Sequence, residues 1–365
     1  MIIVSSIFLL WRAVLFIVAE LSSLILRSNH HFTGVEFVTW RSAPNLWYWA
    51  NFDGQHYLSI SKFGYHQFEQ AFFPGYPMLI HAVSFLTKDV LLSGFIISNV
   101  CAALFAYVGV KFFSLYYPKA SVYKGLALLL AFPSAFYLGA VYTESLFLLL
   151  SVLSLYFAKR NKFLLSSVCG ALACFTRLVG IFLIPALLWM WWKQKRQKTS
   201  LLAIVLVPIG LVAVLALNFY QTGDFLYFIH VQPQFGAHRT GESFILLPQV
   251  FFRYFKIFAT VNPLSYVFFI SVQEFLTTVF ALGTIIAYWK KIDKALLIFC
   301  LGVLLTPTLT GTLSSMPRYI LGAFPIFFVF SHFFRSKYLF AILIFVFAIL
   351  QIINVALFVN AYWIS

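Results

Sequence analysis

Long apolar runs, separated by short basic segments, occupy most of the chain. The runs lie roughly at residues 2–26, 89–112, 124–142, 143–158, 163–192, 199–220, 265–288, 295–312, 318–334 and 338–361. Most approach the about 20 residues that an α-helix needs to cross a membrane, whereas membrane β-strands show about ten residues of alternating polarity. The run at 163–192 suits an out-and-back hairpin. The pattern therefore predicts an all-α, polytopic transmembrane helical bundle of about eleven spans, forming a single domain over residues 1–365.

Composition agrees with this prediction. Hydrophobic residues make up 62% of the chain, charged residues make up 10%, and the mean hydropathy is +0.93. Soluble domains are only about 45–50% apolar. The formal net charge of +15 comes mostly from Lys and Arg clusters between apolar runs, so we expect topology signals and no nucleic-acid binding. The four cysteines lie inside apolar runs without CxxC spacing and are interpreted as packing residues: Cys101, Cys169, Cys174 and Cys300.

The basic clusters also predict an orientation. They stand at residues 159–162, 193–198, 290–294 and 335–337, and the positive-inside rule places all four in the cytoplasm. The first apolar run is too long for the core of a cleavable signal peptide and is expected to be the first span. The segments at 27–88 and 221–262 then become the first and second extracytoplasmic loops, and polar chemistry concentrates on the outer face.

The first outer loop contains the segment WYWANFDGQHYLSISKFGYHQFEQAFFPGYP at residues 47–77. Only 10 residues of the chain are Asp or Glu, and two of them, Asp53 and Glu69, lie here with His56 and His66. Asp53 precedes a glycine that leaves the carboxylate accessible, so it is either a proton acceptor or the cap of a helix that begins at Gly54.

The neighbours of Asp53 supply candidate substrate contacts. His56 and Tyr57 follow within one helical turn, so Asp53 and His56 share a face if the segment is helical. Tyr65 belongs to the interfacial aromatic residues and is a further candidate. Glu69 either binds a second polar group of the substrate or anchors the loop. The chain has no HExxH motif and no P-loop, which excludes the usual metalloprotease and ATPase sites, and we predict no metal ligands.

Three charged residues outside this segment stand at the expected outer boundary of apolar runs. They are Glu144 in VYTESLF, Arg177 in CFTRLVG and Arg318 in SSMPRYILGAFP. Charge in an apolar run is costly unless it is paired or functional, and arginine suits phosphate geometry. The alternatives are a structural Glu144–Arg177 pair and an interfacial anchoring role for Arg318. The second outer loop either covers the site or is solvated surface, and its charged residues and histidines are Asp224, His230, His238, Arg239, Glu242, Arg253 and Lys256.

Three stretches together resemble a known family. FDGQHYLSISKFGYHQFEQAFFPGYPMLI resembles the signature of the GPI mannosyltransferase II (PIG-V-like) family and its prokaryotic relatives. YTESLFLLLSVLSLYFAKRNKFLLSSVCGALACFTRLVGIFLIP and SMPRYILGAFPIF are similar to later parts of the family, in matching order and spacing. These proteins belong to the GT-C class of membrane glycosyltransferases, so the resemblance implies a GT-C-like fold.

The resemblance also implies a reaction. A hexose, typically mannose, passes with inversion from a polyprenyl- or dolichyl-phosphate donor to a hydroxyl of an acceptor glycolipid or glycan at the outer face. The matching catalytic position is Asp53, and the lipid-linked sugar is a substrate, with no cofactor expected. We expect Arg177 and Arg318 to stabilise the leaving phosphate. The remaining candidates for positioning the sugar or acceptor are His56, Tyr57, Tyr65, Glu69 and Glu144.

Two other functions stay open. A transporter or flippase of a lipid-linked or small polar substrate requires ionisable residues near the middle of the membrane, where only Arg12, Glu20, Glu144 and Arg177 qualify. A non-catalytic scaffold leaves Asp53 and its neighbours unexplained. The expected location is the plasma membrane of a prokaryote, or the endoplasmic reticulum membrane in a eukaryote, with an extracytoplasmic active site.

Overall fold

The computed structural model describes residues 2–27, 29, 44–194, 198–236, 239–240 and 244–364, and within these ranges it is helical without any β-strand. Five helical segments are long and apolar enough to cross a membrane: Ile2–Ile25, Val90–Phe113, Lys198–Thr222, Tyr266–Tyr288 and Lys337–Val359. Shorter apolar helices lie at Phe163–Thr176, Leu178–Lys193 and Lys294–Thr308. The protein is therefore a helical membrane protein, as the hydropathy pattern predicts.

The chain divides into two compact units. The first comprises Met1–His66, Pro74–Leu153 and Phe330–Ile364, and the second comprises Gln67–Phe73 and Ser154–Val329. The α-helices up to the middle of the chain are α1 (Ile2–Ile25), α2 (Pro44–Trp47), α3 (Asp53–Phe63), α4 (Gly75–Thr87), α5 (Val90–Phe113), α6 (Lys119–Ala131), α7 (Glu144–Lys159), α8 (Phe163–Thr176) and α9 (Leu183–Lys193). The remaining ones are α10 (Lys198–Ile204), α11 (Ile209–Thr222), α12 (Tyr227–His230), α13 (Leu247–Thr260), α14 (Tyr266–Tyr288), α15 (Lys294–Thr308), α16 (Met316–Gly322), α17 (Pro325–Phe333) and α18 (Lys337–Val359).

The apolar run at 124–142 is not one continuous helix. α6 ends at Ala131, and Phe132 has φ −59° and ψ 140°, because the residue before a proline avoids the helical region and Pro133 follows. The freed carbonyl groups are bonded by α18 of the same unit. Gln351 Nε2 donates to the carbonyl oxygens of Leu130 at 2.9 Å and Phe132 at 2.8 Å. Backbone groups away from water need such partners, so the break is compensated.

The part of the first outer loop at residues 44–88 is largely helical. Its last part forms α4, which begins at Gly75 directly after Pro74 and holds Pro77 in its first turn, where a proline removes no helical hydrogen bond. The two prolines therefore start the helix and do not interrupt it. Tyr76 and Ile80 are fully buried, so one face of α4 packs into the first unit. Residues 30–43 of the same loop lie outside the described residues.

The second outer loop also contains regular structure. α12, the 3₁₀ turn Gln232–Phe235 and α13 lie within it, while His238 and Glu242 fall outside the described residues. Arg253 Nη1 donates to the carbonyl oxygen of Gly311 at 2.7 Å, and Tyr254 donates a hydrogen bond to Glu274 of α14. α13 is therefore packed on its Val250 and Tyr254 side within the second unit, and both interpretations of this loop stay predictions.

Candidate functional site

Asp53 is the first residue of α3. The preceding position is Phe52, which has φ 59°, so the helix begins one residue earlier than the capping alternative expects. Positive φ is unusual for a phenylalanine and holds the chain in a sharp turn immediately before the carboxylate. The positive end of a helix dipole stabilises negative charge in the first turn. The local fold therefore places the Asp53 side chain in the first turn of α3.

α3 also confirms that Asp53 and His56 share a helical face. Both are partly exposed, whereas Gln55 and Tyr57 are buried. Tyr65 lies beyond Gly64 at the other end of α3, which spans about 15 Å from Asp53 to Phe63 at the helical rise of 1.5 Å per residue. The structure therefore brings His56 close to Asp53 and separates Tyr65 from both.

The start of α3 is held against the segment that leads into α7. Val141 N donates to the carbonyl oxygen of Trp49 at 2.9 Å, and Tyr142 Oη donates to that of Asn51 at 2.7 Å. A Cβ atom added at Gly54 meets the carbonyl oxygen of Val141 at 3.2 Å. Glu144 follows as the first residue of α7. Asp53 and Glu144 thus each stand at the first position of a helix, and these two helices begin on neighbouring segments of the first unit.

A cluster of tyrosines connects the two carboxylate positions. The Tyr57 ring lies 5.4 Å from that of Tyr76 and 6.2 Å from that of Tyr142. Burial raises the pKa of Tyr76 well above its ordinary value, a hydrogen bond to Ser98 opposes this, and electrostatic interactions with Tyr57 and Glu144 add to the increase. Tyr76 therefore stays protonated at neutral pH and keeps its hydroxyl as a donor, 2.9 Å from the carbonyl oxygen of Gly94.

Arg12 of α1 stabilises the same segment from the other side. Its Nη2 donates to the carbonyl oxygen of Gly139 at 2.9 Å, and its Nε donates to Asn99 Oδ1 at 2.6 Å. The guanidinium lies 4.4 Å from the ring centroids of both Phe16 and Trp49. Arg12 counted among the residues that a transporter could use, and the structure instead shows it bonded within the first unit.

In the second unit, the two arginines predicted to bind phosphate meet on one aromatic ring. Arg177 follows α8 at the turn of the predicted hairpin, with extended backbone, φ −152° and ψ 140°. Its guanidinium carbon lies 5.3 Å from the ring centroid of Tyr319, and that of Arg318 lies 5.9 Å from the same centroid. Ser315, with φ 64°, precedes α16, which carries Arg318 and Tyr319 in its first turns. Both arginines thus lie beside the same ring, and the arginine side chain suits phosphate geometry.

Glu69 is buried in a short 3₁₀ turn of the second unit, Glu69–Ala71, with 5% of its surface exposed. The turn is anchored on both sides. Gln70 Nε2 donates to Gln221 Oε1 at 3.2 Å, and Phe73 lies 5.3 Å from Phe228 in an edge-on contact. The anchoring role for this segment is therefore supported, and the substrate-binding role of Glu69 stays a prediction.

Sequence reasoning missed two groups. The first is Tyr319, whose ring lies beside both arginines. The sequence indicated this residue only through its position next to Arg318. Glu274 is buried, with 4% exposed, in the apolar span of α14. A lone acidic residue in an apolar run is a recognisable signal, since such a charge requires a partner, and here Tyr254 provides one.

The first unit thus holds the carboxylate residues Asp53 and Glu144 at helix starts, and the second holds two arginines beside one tyrosine ring. No group of three or more His, Cys, Asp or Glu side chains in the described part of the chain is placed to hold a metal ion. Comparison of the chain with protein-family models gives no match, and neither does a search of curated proteins. The function is therefore argued from the residues themselves.

Proposed function

We propose that this protein is an inverting GT-C-type glycosyltransferase related to the PIG-V-like family, with mannose as the expected hexose and a polyprenyl- or dolichyl-phosphate sugar as donor. The observation that carries the proposal is the convergence of Arg177 and Arg318 on Tyr319. Two arginines far apart in sequence lie beside one tyrosine ring, and this supports a role in binding the lipid-linked phosphate.

Each residue has a defined task in the proposed reaction. The acceptor hydroxyl loses its proton to the Asp53 carboxylate as its oxygen bonds to the anomeric carbon of the sugar. The bond between that carbon and the phosphate oxygen breaks on the opposite face, which inverts the configuration. Arg177 and Arg318 stabilise the charge that develops on the departing phosphate. His56, Tyr57 and Glu144 position the sugar or acceptor.

The proposal also includes a topology. The shorter apolar helices α8, α9 and α15 supply crossings in addition to the five long helical segments, towards about eleven in total. The basic clusters between them face the cytoplasm, so Asp53 faces outward. In a prokaryote this is the outer surface of the plasma membrane, and in a eukaryote it is the lumen of the endoplasmic reticulum. The acceptor is a glycolipid or glycan.

A transfer assay tests the proposal. Membranes containing the wild type or Asp53→Asn receive radiolabelled polyprenyl-phosphate-mannose, and label in the acceptor fraction is measured at equal expression. We expect transfer by the wild type and its loss in Asp53→Asn. Asp89→Asn is the matched control, because Asp89 only caps α5 by accepting from Leu92 N at 2.7 Å, and asparagine caps a helix equally well. Equal transfer by all three proteins removes Asp53 from catalysis.

The transporter or flippase is the alternative function. It draws support from the buried ionisable side chains of Arg12 and Glu274 in membrane-spanning helices. Their observed bonds are to Asn99, Gly139 and Tyr254, which is the pattern of a packed interior. Vesicles that move a fluorescent lipid-linked sugar across the bilayer without transferring the sugar would favour this alternative over the enzyme.

A further inference from the structure

Two buried amide side chains in the second unit each have one polar atom without a hydrogen-bond partner among the described residues. These atoms are the Nδ2 atom of Asn218, a donor, and the Oε1 atom of Gln70, an acceptor. Asn218 is 2% exposed and Gln70 is 7% exposed. Buried polar groups are nearly always hydrogen-bonded, and an unsatisfied one inside an apolar protein is costly. Two such atoms of opposite type therefore call for a ligand that both donates and accepts.

α11 directs the Asn218 side chain towards the segment that contains Gln70. Val214, Asn218 and Gln221 are spaced by four and three residues and lie on one helical face. Val214 packs in one apolar cluster with Phe73, and Gln221 Oε1 accepts from Gln70 Nε2 at 3.2 Å. Asn218 stands between these two contacts, so its side chain faces the segment from residue 70 to residue 73.

One apolar cluster links the segments that carry the amides to the segment that carries Arg177. The apolar cluster of Phe73, Val214 and Phe228 includes Phe175 and Leu178, which flank Arg177 in the chain. A ligand that extends from the Arg177 side chain along this cluster reaches the Gln70 and Asn218 amides within the same unit. Its chemistry at that end has to combine a donor and an acceptor, as a hydroxyl group does.

We infer that Gln70 and Asn218 form a subsite for the hydroxyl groups of the sugar carried by the lipid phosphate. This inference rests on the proposed function, because it names the part of the donor that the amides recognise. Asn218 Nδ2 donates to one sugar oxygen, and Gln70 Oε1 accepts from a sugar hydroxyl. The subsite distinguishes polyprenyl-phosphate-hexose from polyprenyl phosphate, and discrimination of this kind is strong when buried polar groups otherwise stay unpaired.

Thermal unfolding of the purified full-length protein tests the inference. The wild type, Asn218→Leu and Gln70→Met are heated alone, with polyprenyl phosphate and with polyprenyl-phosphate-mannose. We expect both lipids to raise the Tm of the wild type, and the mannosylated lipid to raise it further. Each variant keeps the increase from polyprenyl phosphate and loses the additional increase, which corresponds to an about threefold to tenfold weaker affinity for one lost neutral hydrogen bond.

Asn354→Leu is the matched control. Asn354 is as deeply buried, with 1% exposed, but its Nδ2 donates to the carbonyl oxygen of Pro133 at 3.1 Å. Its replacement is expected to lower the Tm of the lipid-free protein and to leave the discrimination between the two lipids intact. Asn218→Leu, which removes an amide without a partner, is expected to leave the lipid-free Tm unchanged or higher.

Three outcomes overturn the inference. If Asn218→Leu and Gln70→Met keep the full additional increase, the amides do not contact the sugar. If the variants lose the stabilisation by both lipids equally, the amides act on the lipid phosphate. If neither lipid stabilises the wild type, the proposed function fails and the sugar assignment fails with it. The first two leave the proposed function standing, so the two failures are distinguishable.

Discussion

Gly139 lies where the Arg12 guanidinium meets the segment that leads to Glu144. A Cβ atom added at Gly139 meets Arg12 Cζ and Nη1 at 2.6 Å and Nε at 2.9 Å. Ordinary contacts between carbon atoms are about 3.5–4.0 Å, so either the guanidinium or the Gly139 segment has to move. Gly139→Ala is therefore a steric probe of how firmly Arg12 is held.

The expected cost follows from what limits that movement. The guanidinium is bonded to Asn99 and to Gly139 itself, and it lies 4.4 Å from both the Phe16 and Trp49 rings. Overpacking a tight interior costs about 1–3 kcal/mol, and loss of one hydrogen bond within a membrane protein adds about 0.6–1.7 kcal/mol. We expect Gly139→Ala to lower the free energy of unfolding by about 2–4 kcal/mol.

Reversible unfolding in mixed micelles with increasing dodecyl sulfate measures this value. Gly283→Ala is the matched control, because no heavy atom of the described residues lies within 4 Å of its added Cβ. Alanine at that helical position is expected to stabilise by about 0.4–1 kcal/mol. In an Arg12→Leu background the cost of Gly139→Ala should shrink, since the clashing group is gone. Equal stability of Gly139→Ala and the wild type would refute the argument.

Three further changes have defined outcomes. Gln351→Leu leaves two carbonyl groups and the Trp11 indole without their partner and should lower the unfolding free energy by about 2–3 kcal/mol, whereas Ile352→Leu, at an exposed position, should not. Tyr319→Leu should raise the KM for the donor about twofold to fivefold, while Tyr319→Phe keeps the ring and the KM. A hydrogen bond from His230 lowers the pKa of Asp224, so the folded state binds that proton less tightly than the unfolded state. Its contribution to stability is present above the ordinary pKa of 3.8 and lost as the pH falls through the lower folded value, so Tm should decline less between about pH 6 and pH 3 in Asp224→Asn.

Several local features could be predicted because their causes lie in neighbouring residues. Apolar runs of sufficient length specify helices in a membrane, since only the helix satisfies its own backbone groups there. Arg177 lies at the predicted hairpin turn, between α8 and the following 3₁₀ segment Leu178–Phe182. The helix break before Pro133 follows from local sequence, because the residue before a proline avoids the helical region. The hydropathy pattern alone does not show this break.

Other features depend on segments that meet only when each unit is packed. The chain itself determined that Arg177, Arg318 and Asn218 are costly in apolar surroundings, because a buried polar group needs a partner. Only the tertiary structure decided that the two arginines share the Tyr319 ring and that Asn218 faces the Gln70 segment. Partners distant in sequence are selected by the packing of whole helices, which no local pattern contains, so the sequence determined the need for a partner and the fold determined its identity.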